Sequence, residues 1–163
     1  MSTDESTHEL FLEAMAALAS GVAVITTKKP DGSACGLAAT SVSSYSAHPP
    51  SLVVSVAHVS RCHEALAGSE RFGVHLLRSD ELGLARLFAS RTRDKFADAD
   101  WSWDHGVPEL SGTLAYLRCR RSASFAHHDH TLLVGDIEDG RLGEGPPLLY
   151  ARRRMDWLLR PYE

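Results

Sequence analysis

The architecture this sequence predicts is an antiparallel β-barrel, closed or partly closed, carrying a few short helices. Three observations point there. The chain reads as about seven short strands joined by short connections, with three small helices among them. Strand and helix do not alternate regularly enough for a doubly wound parallel sheet. A GxGxxG fingerprint is absent, which removes the Rossmann dinucleotide site and leaves the barrel as the better solution.

The elements follow in order. Ser6 with Glu9 three residues later predicts a capping box. Leu10, Phe11, Ala14, Met15 and Leu18 then recur at helical spacing, with Gly21 as the stop. Residues 22–27 (VAVITT) are rich in β-branched types and predict a strand. Lys28-Lys29-Pro30-Asp31-Gly32 has hairpin-turn composition, so the chain returns as a strand over 33–40. Residues 51–57 form a third strand, apolar enough to be buried. Residues 60–67 predict a short helix capped by Ser60, 71–77 a strand, and Ser79 the cap of a helix with Leu84, Leu87 and Phe88 on one face. The stretch 91–108 is polar and irregular, anchored by Trp101 and Trp103. In 113–121, Ala115, Leu117 and Cys119 alternate with Tyr116, Arg118 and Arg120, the pattern of a half-buried strand. Residues 130–138 and 148–157 supply the last strands.

Composition narrows the function classes. The 163 residues predict one domain spanning 1–163, and a hydrophobic content of 44% supports a full core. A net charge of -4, with no long basic run, argues against a nucleic-acid partner. Cys35, Cys62 and Cys119 are odd in number and show no Cys-x-x-Cys spacing, so neither a disulfide framework nor a cysteine zinc site is expected. The polar, acidic start MSTDESTHE is unlike a secretory signal, and no apolar run approaches the ~18 residues of a membrane helix. The expectation is a cytoplasmic protein without a membrane partner.

Three constellations carry chemistry. In residues 36–50 (GLAATSVSSYSAHPP), Gly36, Ala38 and Ala39 leave little side-chain bulk, so a planar ring can approach the backbone. Thr40, Ser41, Ser43, Ser44 and Ser46 add uncharged donors and acceptors. Composition alone also fits a solvated, Ser-rich edge strand. Ser60, Arg61, Arg91, Arg93 and Lys95 form a second set; a helix beginning at Ser60 would offer free N–H groups to a phosphate, and the cations charge-assisted hydrogen bonds. Any one of these arginines also reads as ordinary charged surface. His127, His128 and His130 with Asp129 raise metal binding, but no further ligand set at helical or turn spacing accompanies them, so no metal is expected. One of these rings donating to a ligand is the better reading, with chance surface histidines the alternative for His127 and His128. There is no Gly-x-Ser-x-Gly elbow, and the adjacency of Cys62 and His63 does not make a catalytic pair.

Taken together these residues resemble the short-chain flavin reductase family, the reductase components of two-component flavin-dependent monooxygenases. Residues 36–50 are similar to that family's Gly-x-Thr-Ala-Asn/Ser-Ser-x-x-Ser-x-Ser-x-x-Pro-Pro segment. His128-Asp129-His130, followed by Gly135, resembles its Gly-Asp-His-x-x-x-x-Gly. Ser20-Gly21-Val22, Phe72-Gly73-Val74-His75-Leu76-Leu77, Asp94-Lys95-Phe96, Gly106-x-Pro108 and Pro147-Leu148-Leu149-Tyr150 fall in the family's order. Departures are Ala38 for the usual Thr, Thr40 for Asn, His128 for Gly, and Leu12 where Arg is common.

The resemblance implies an FMN-binding split β-barrel, six-stranded and Greek-key, as a homodimer. It implies NAD(P)H:flavin oxidoreductase activity that reduces FMN or FAD with NADH or NADPH and passes reduced flavin to a partner monooxygenase. Ala39, Thr40, Ser41, Ser46, Ser60, Arg61, Arg91 and Lys95 are then expected around the flavin, and His130, Asp129 and Tyr150 around the nicotinamide, with His130 as the catalytic contact. The competing readings are a flavoprotein oxidase of the pyridoxamine phosphate oxidase type and a non-enzymatic flavin- or haem-binding split-barrel module.

Overall fold

The computed structural model describes residues 3–162. The chain runs through α1 (Thr3–Ala17), β1 (Ser20–Gly21), β2 (Ala23–Lys28), β3 (Ala34–Ala39), β4 (Ser43–Ala47), β5 (Pro50–Ala57), α2 (His63–Gly68) and β6 (Arg71–Leu76). It continues through α3 (Leu82–Ala89), a 3-10 turn (Phe96–Asp98), β7 (Trp101–Asp104), β8 (Val107–Leu110), β9 (Ala115–His127), β10 (His130–Leu142), β11 (Leu149–Ala151) and β12 (Arg154–Trp157).

Seven strands form one antiparallel sheet in the order β3-β2-β6-β9-β10-β5-β4. Strands from both ends of that order pack on one apolar core, which includes Ile25, Cys35, Val54, Phe72, Val74 and Leu133 and is filled from one side by Leu66 of α2. The sheet therefore curls round its own inner face, the split-barrel form, but with seven strands rather than six in the hydrogen-bonded order. The seam between β3 and β5 is bridged by a side chain: Ser41 Oγ donates to the Ser55 carbonyl (3.1 Å) and accepts from the Ser55 N–H (3.2 Å).

A second core lies on the outer face. Val22, Val24, Leu77, Phe88, Phe96 and Leu148 meet there, covered by α3. Because β2 sends Ala23 and Ile25 into one core and Val24 into the other, its sequence is continuously apolar instead of alternating. Burial at this level is worth roughly 25 cal/mol per Å² of apolar surface, so these two layers dominate stability.

Several sequence expectations are corrected. Helix α1 has already begun at Thr3, so Ser6 and Glu9 are interior and make no capping box; Asp4 and Glu5 occupy its first turn instead, where acidic groups suit the dipole. Gly21 is not the helix stop: α1 ends at Ala17, where the Arg152 N–H reaches the Ala16 carbonyl, and Gly21 pairs with Leu149 in a small sheet of β1, β11 and β12. Helix α2 starts at His63 with Cys62 as cap residue, and α3 starts after Glu81, so neither Ser60 nor Ser79 caps a helix. The stretch 91–108 is not irregular throughout. It holds the 3-10 turn and the β7–β8 hairpin, whose short strands carry Trp, Pro and charged residues and show no clean alternation. That hairpin covers the outer face of β9, which is why Tyr116, expected on the open face, is buried.

Candidate functional site

A cleft of about 810 Å³ opens along the β3–β5 seam. Residues 34–41 form one wall, residues 55–57 and 59–62 the other, and residues 88–93 with Lys95 and Phe96 close the end. His130 stands at its edge. The small residues of β3 face both ways. Ala39 packs toward the inner core and Ala38 toward the outer one. Gly36 has a structural duty as well: a Cβ there would come within 2.7 Å of the Phe88 ring. The floor is thus shallow because β3 must lie close to α3.

The charge on the lining is one-sided. Lys29, Arg61, Arg91, Arg93 and Lys95 contribute five cations, and none of the described residues lining the cleft carries a carboxylate. This holds in a chain whose net charge is -4. Lys95 Nζ donates to the carbonyls of Phe88 (2.6 Å) and Gly36 (3.3 Å), tying the end of α3 to β3. Burial, helped by the Arg61 charge, holds the Lys95 ammonium below the ordinary lysine range. Arg61 Nη1 donates to the Arg91 carbonyl at 3.0 Å. Main-chain oxygens orient these groups without neutralising them. A planar molecule bearing phosphate fits such a cleft, with its ring over the small residues and its anion among the cations.

The edge is held by hydrogen bonds. His58 N–H donates to the Asp129 carbonyl (2.8 Å), joining the 58–62 loop to the β9–β10 turn. The Thr131 hydroxyl lies 3.1 Å from His58 Nε2 and 2.8 Å from His63 Nε2. His130 Nδ1 donates to Asp129 Oδ1 at 2.8 Å, and that hydrogen bond holds the Asp129 carboxyl below its usual range. The contact occupies Nδ1 and leaves Nε2 as the ring atom available to a ligand. His128 sits at φ 50, in the left-handed region that favours glycine, so the turn itself explains why glycine suits this position in the Gly-Asp-His pattern.

Ala39, Thr40, Ser41, Ser60, Arg61, Arg91, Lys95 and His130 all line the cleft. Ser41 uses its hydroxyl on the seam, and Ser60 Oγ accepts from the Cys62 N–H (3.2 Å) in a turn, not at a helix start. Ser46 does not line it; it lies on edge strand β4, its hydroxyl accepting from the His48 N–H. Tyr150 is on β11, opposite Ser20, and packs against the outer core. Lys29, Phe88 and the thiols Cys35 and Cys62 also line the cleft and were not singled out from sequence. Their only signal is register: Cys35 pairs with Thr27 just across the turn that carries Lys29.

The chain is similar to known proteins along most of its length. A profile described as "Flavin reductase like domain" matches residues 15–159. An NADH:riboflavin 5'-phosphate oxidoreductase of Streptomyces pristinaespiralis is 39% identical over 147 residues, 88% of this chain and 84% of its own. The reductase component of 4-hydroxyphenylacetate 3-monooxygenase from Thermus thermophilus is 35% identical, across 91% of this chain and 97% of its own. The crystal structure of a flavin reductase domain protein from an Arthrobacter species superposes with a TM-score of 0.88 at 32% identity, covering 96% of this chain and 99% of that one.

Proposed function

This chain belongs to the flavin reductase-like family, and from that premise we propose that it is an NAD(P)H:flavin oxidoreductase supplying reduced FMN or FAD to a partner monooxygenase. The observation that carries this reading is the cleft itself: a shallow floor of small residues, five cations, no lining carboxylate among the described residues, and an imidazole at the edge. Residues 1–163 act as one domain.

When bound, a flavin supplies the electron-accepting ring whose N5 takes hydride from C4 of the nicotinamide. The chain's own residues bind and orient. Ala39, Thr40 and Ser41 offer backbone to the ring. Ser60, Arg61, Arg91 and Lys95 hold the phosphate by charge-assisted hydrogen bonds. His130, oriented by Asp129, presents Nε2 to the nicotinamide and moves no proton, because hydride transfer needs no general base. Ser46 and Tyr150 reach a ligand only if a second copy brings them to it. A homodimer is supported by the exposed apolar side chains of α1, Leu10, Phe11 and Met15, by Leu18 just after it, and by Leu158 and Leu159 near the C-terminus. The buried free thiols suit a cytoplasmic setting.

The test is NADH consumption in air with FMN, FAD and riboflavin supplied in turn. Catalytic turnover supports the reductase; an oxidase would need its own organic substrate, and a binding module would consume nothing. His130→Ala should lower kcat/KM for NADH by about 10- to 100-fold, mainly through KM, with flavin affinity little changed. Full retention of NADH turnover would remove His130 from the nicotinamide site.

A further inference from the structure

Strand β10 alternates at its start: His130 and Leu132 are exposed, while Thr131 and Leu133 turn inward. An apolar side chain suits an inward position, and Leu133 joins the inner core. Thr131, at 4% exposure, brings a hydroxyl there instead, and a buried hydroxyl must find partners. Its partners are two imidazoles. His58 Nε2 lies at 3.1 Å and His63 Nε2 at 2.8 Å, with the ring centres 4.7 Å apart.

These two rings bracket the loop between β5 and α2. His58 follows the last residue of β5, and His63 is the first of α2. Between them stand Ser60 and Arg61, both lining the cleft. Main-chain bonds give the loop its curvature: the Ser60 N–H donates to the Ala57 carbonyl and the His63 N–H to the Ser60 carbonyl, each at 3.0 Å. The His58 N–H, on the Asp129 carbonyl, ties only the entry to the β9–β10 turn. Thr131 ties entry and exit together to one atom of β10, next in the chain to His130 at the cleft edge.

We propose that Thr131 is a positioning residue for the flavin phosphate: its hydroxyl pins the 58–63 loop at both ends, so that Ser60 and Arg61 face the phosphate. The role rests on the reductase reading, which supplies the phosphorylated ligand. A hydroxyl has one hydrogen to give. It donates to one ring and accepts from the Nε2–H of the other, so the two neutral imidazoles carry their hydrogens on different nitrogens. A loop held this way loses little freedom when phosphate binds. Without the hydroxyl, Ser60 and Arg61 are still present but unpinned, and the cost falls on the phosphate and not on the flavin ring.

The experiment titrates FMN and riboflavin into wild type, Thr131→Val and Thr131→Ser by flavin fluorescence, with melting temperatures alongside. Valine keeps the β-branched shape and loses the hydroxyl. Thr131→Val should weaken FMN about tenfold and riboflavin by less than about twofold, and Thr131→Ser should restore FMN binding. In NADH turnover the KM for FMN should rise, with kcat at saturating FMN close to wild type. In an Arg61→Ala background the Thr131→Val loss should shrink, because the loop then has less to present. Equal losses for both flavins, or an FMN loss undiminished by Arg61→Ala, would make Thr131 a residue of the fold only and overturn the proposal. The wild type gives a readout that needs no variant to fold. Long-range proton–nitrogen spectra at a pH of about 8, where imidazoles are neutral, should show His58 and His63 in opposite tautomers. Two rings in the same tautomer overturn the bridge. A wild type that neither binds FMN nor consumes NADH overturns the reductase reading; one that does both, beside a Thr131→Val variant with unchanged FMN affinity, overturns this proposal alone.

Discussion

Two charged regions of this molecule are built on opposite plans. Around Asp104, under the β7–β8 hairpin, cation and anion meet inside the protein: Arg118 Nη1 lies 2.5 Å from Asp104 Oδ2, and the Tyr116 hydroxyl donates to the same carboxylate at 3.0 Å. Arg118 and Asp104 side chains are only 11% and 9% exposed, and Glu138 and Asp139 stand within 3.7 Å of the same guanidinium. Burial alone would raise the Asp104 pKa, but the hydrogen bonds from His105, Arg118 and Tyr116 hold it below the ordinary range. Along the cleft, by contrast, five cations stand with no carboxylate among the described lining residues, and Arg61 and Lys95 donate to main-chain carbonyls. A charge matched within the chain holds structure. A charge left unmatched beside an open cleft has an anionic ligand as its natural partner.

The largest expected effect breaks the matched side. Asp104→Ala removes the shortest of the Arg118 ion pairs, leaving Glu138 and Asp139 at 3.7 Å, and should cost about 2–3 kcal/mol in urea unfolding. Replacing Arg118 by Met in the same chain should recover part of that loss. A single-variant cost below about 1 kcal/mol would show that the cluster does not hold the fold.

The unmatched side should respond in binding instead. Arg61→Ala and Lys95→Ala should each weaken FMN by ~1.5–3 kcal/mol, while riboflavin, which lacks the phosphate, changes little. Lys95→Ala should also lower the melting temperature, since Lys95 ties Phe88 to Gly36; Arg61→Ala is the cleaner probe. Equal losses for both flavins, by fluorescence titration, would sever these cations from the phosphate.

His75 sharpens the comparison, being a titratable group sealed away from ligands. The Leu110 N–H donates to Nε2 and Nδ1 donates to the Val24 carbonyl, which fixes the neutral ring. Burial pushes its pKa down to about 4 from 6.5. Between those values the unfolded chain binds the extra proton. Stability from this group is therefore complete above pH 6.5 and falls toward pH 4, by about 1.4 kcal/mol per pH unit. Denaturation midpoints across that range should show the slope, and His75→Gln should flatten it.

The smallest effect belongs to a matched but exposed pair. Arg153 Nη2 donates to Glu13 Oε1 at 2.8 Å with both side chains more than half exposed. Glu13→Ala should leave the melting temperature unchanged within error, because solvent screens the pair. A clear drop would mean that α1 depends on this tether.

Local chemistry decided much of this protein. The β-branched run at 22–27, the Lys-Lys-Pro-Asp-Gly turn and the apolar 51–57 segment each impose their own strand or turn, and all three stand where the sequence places them. The clustering of Ala39, Thr40, Ser41, Arg61, Arg91, Lys95 and His130 was legible too, through an ordered set of motifs matching a known family. Tertiary structure alone decided the rest. Helix starts at Ser6, Ser60 and Ser79 failed because capping is worth only about 1 kcal/mol, less than the packing that sets where a helix begins. The β7–β8 hairpin lacked alternation, so only its cover over β9 reveals why Tyr116 is buried. The absence of a carboxylate from the cleft lining, among the described residues, is a property of the curled sheet. Ser41 and Ser55, 14 positions apart, meet only once the end of β3 and β5 face each other across the seam, and no local propensity encodes that.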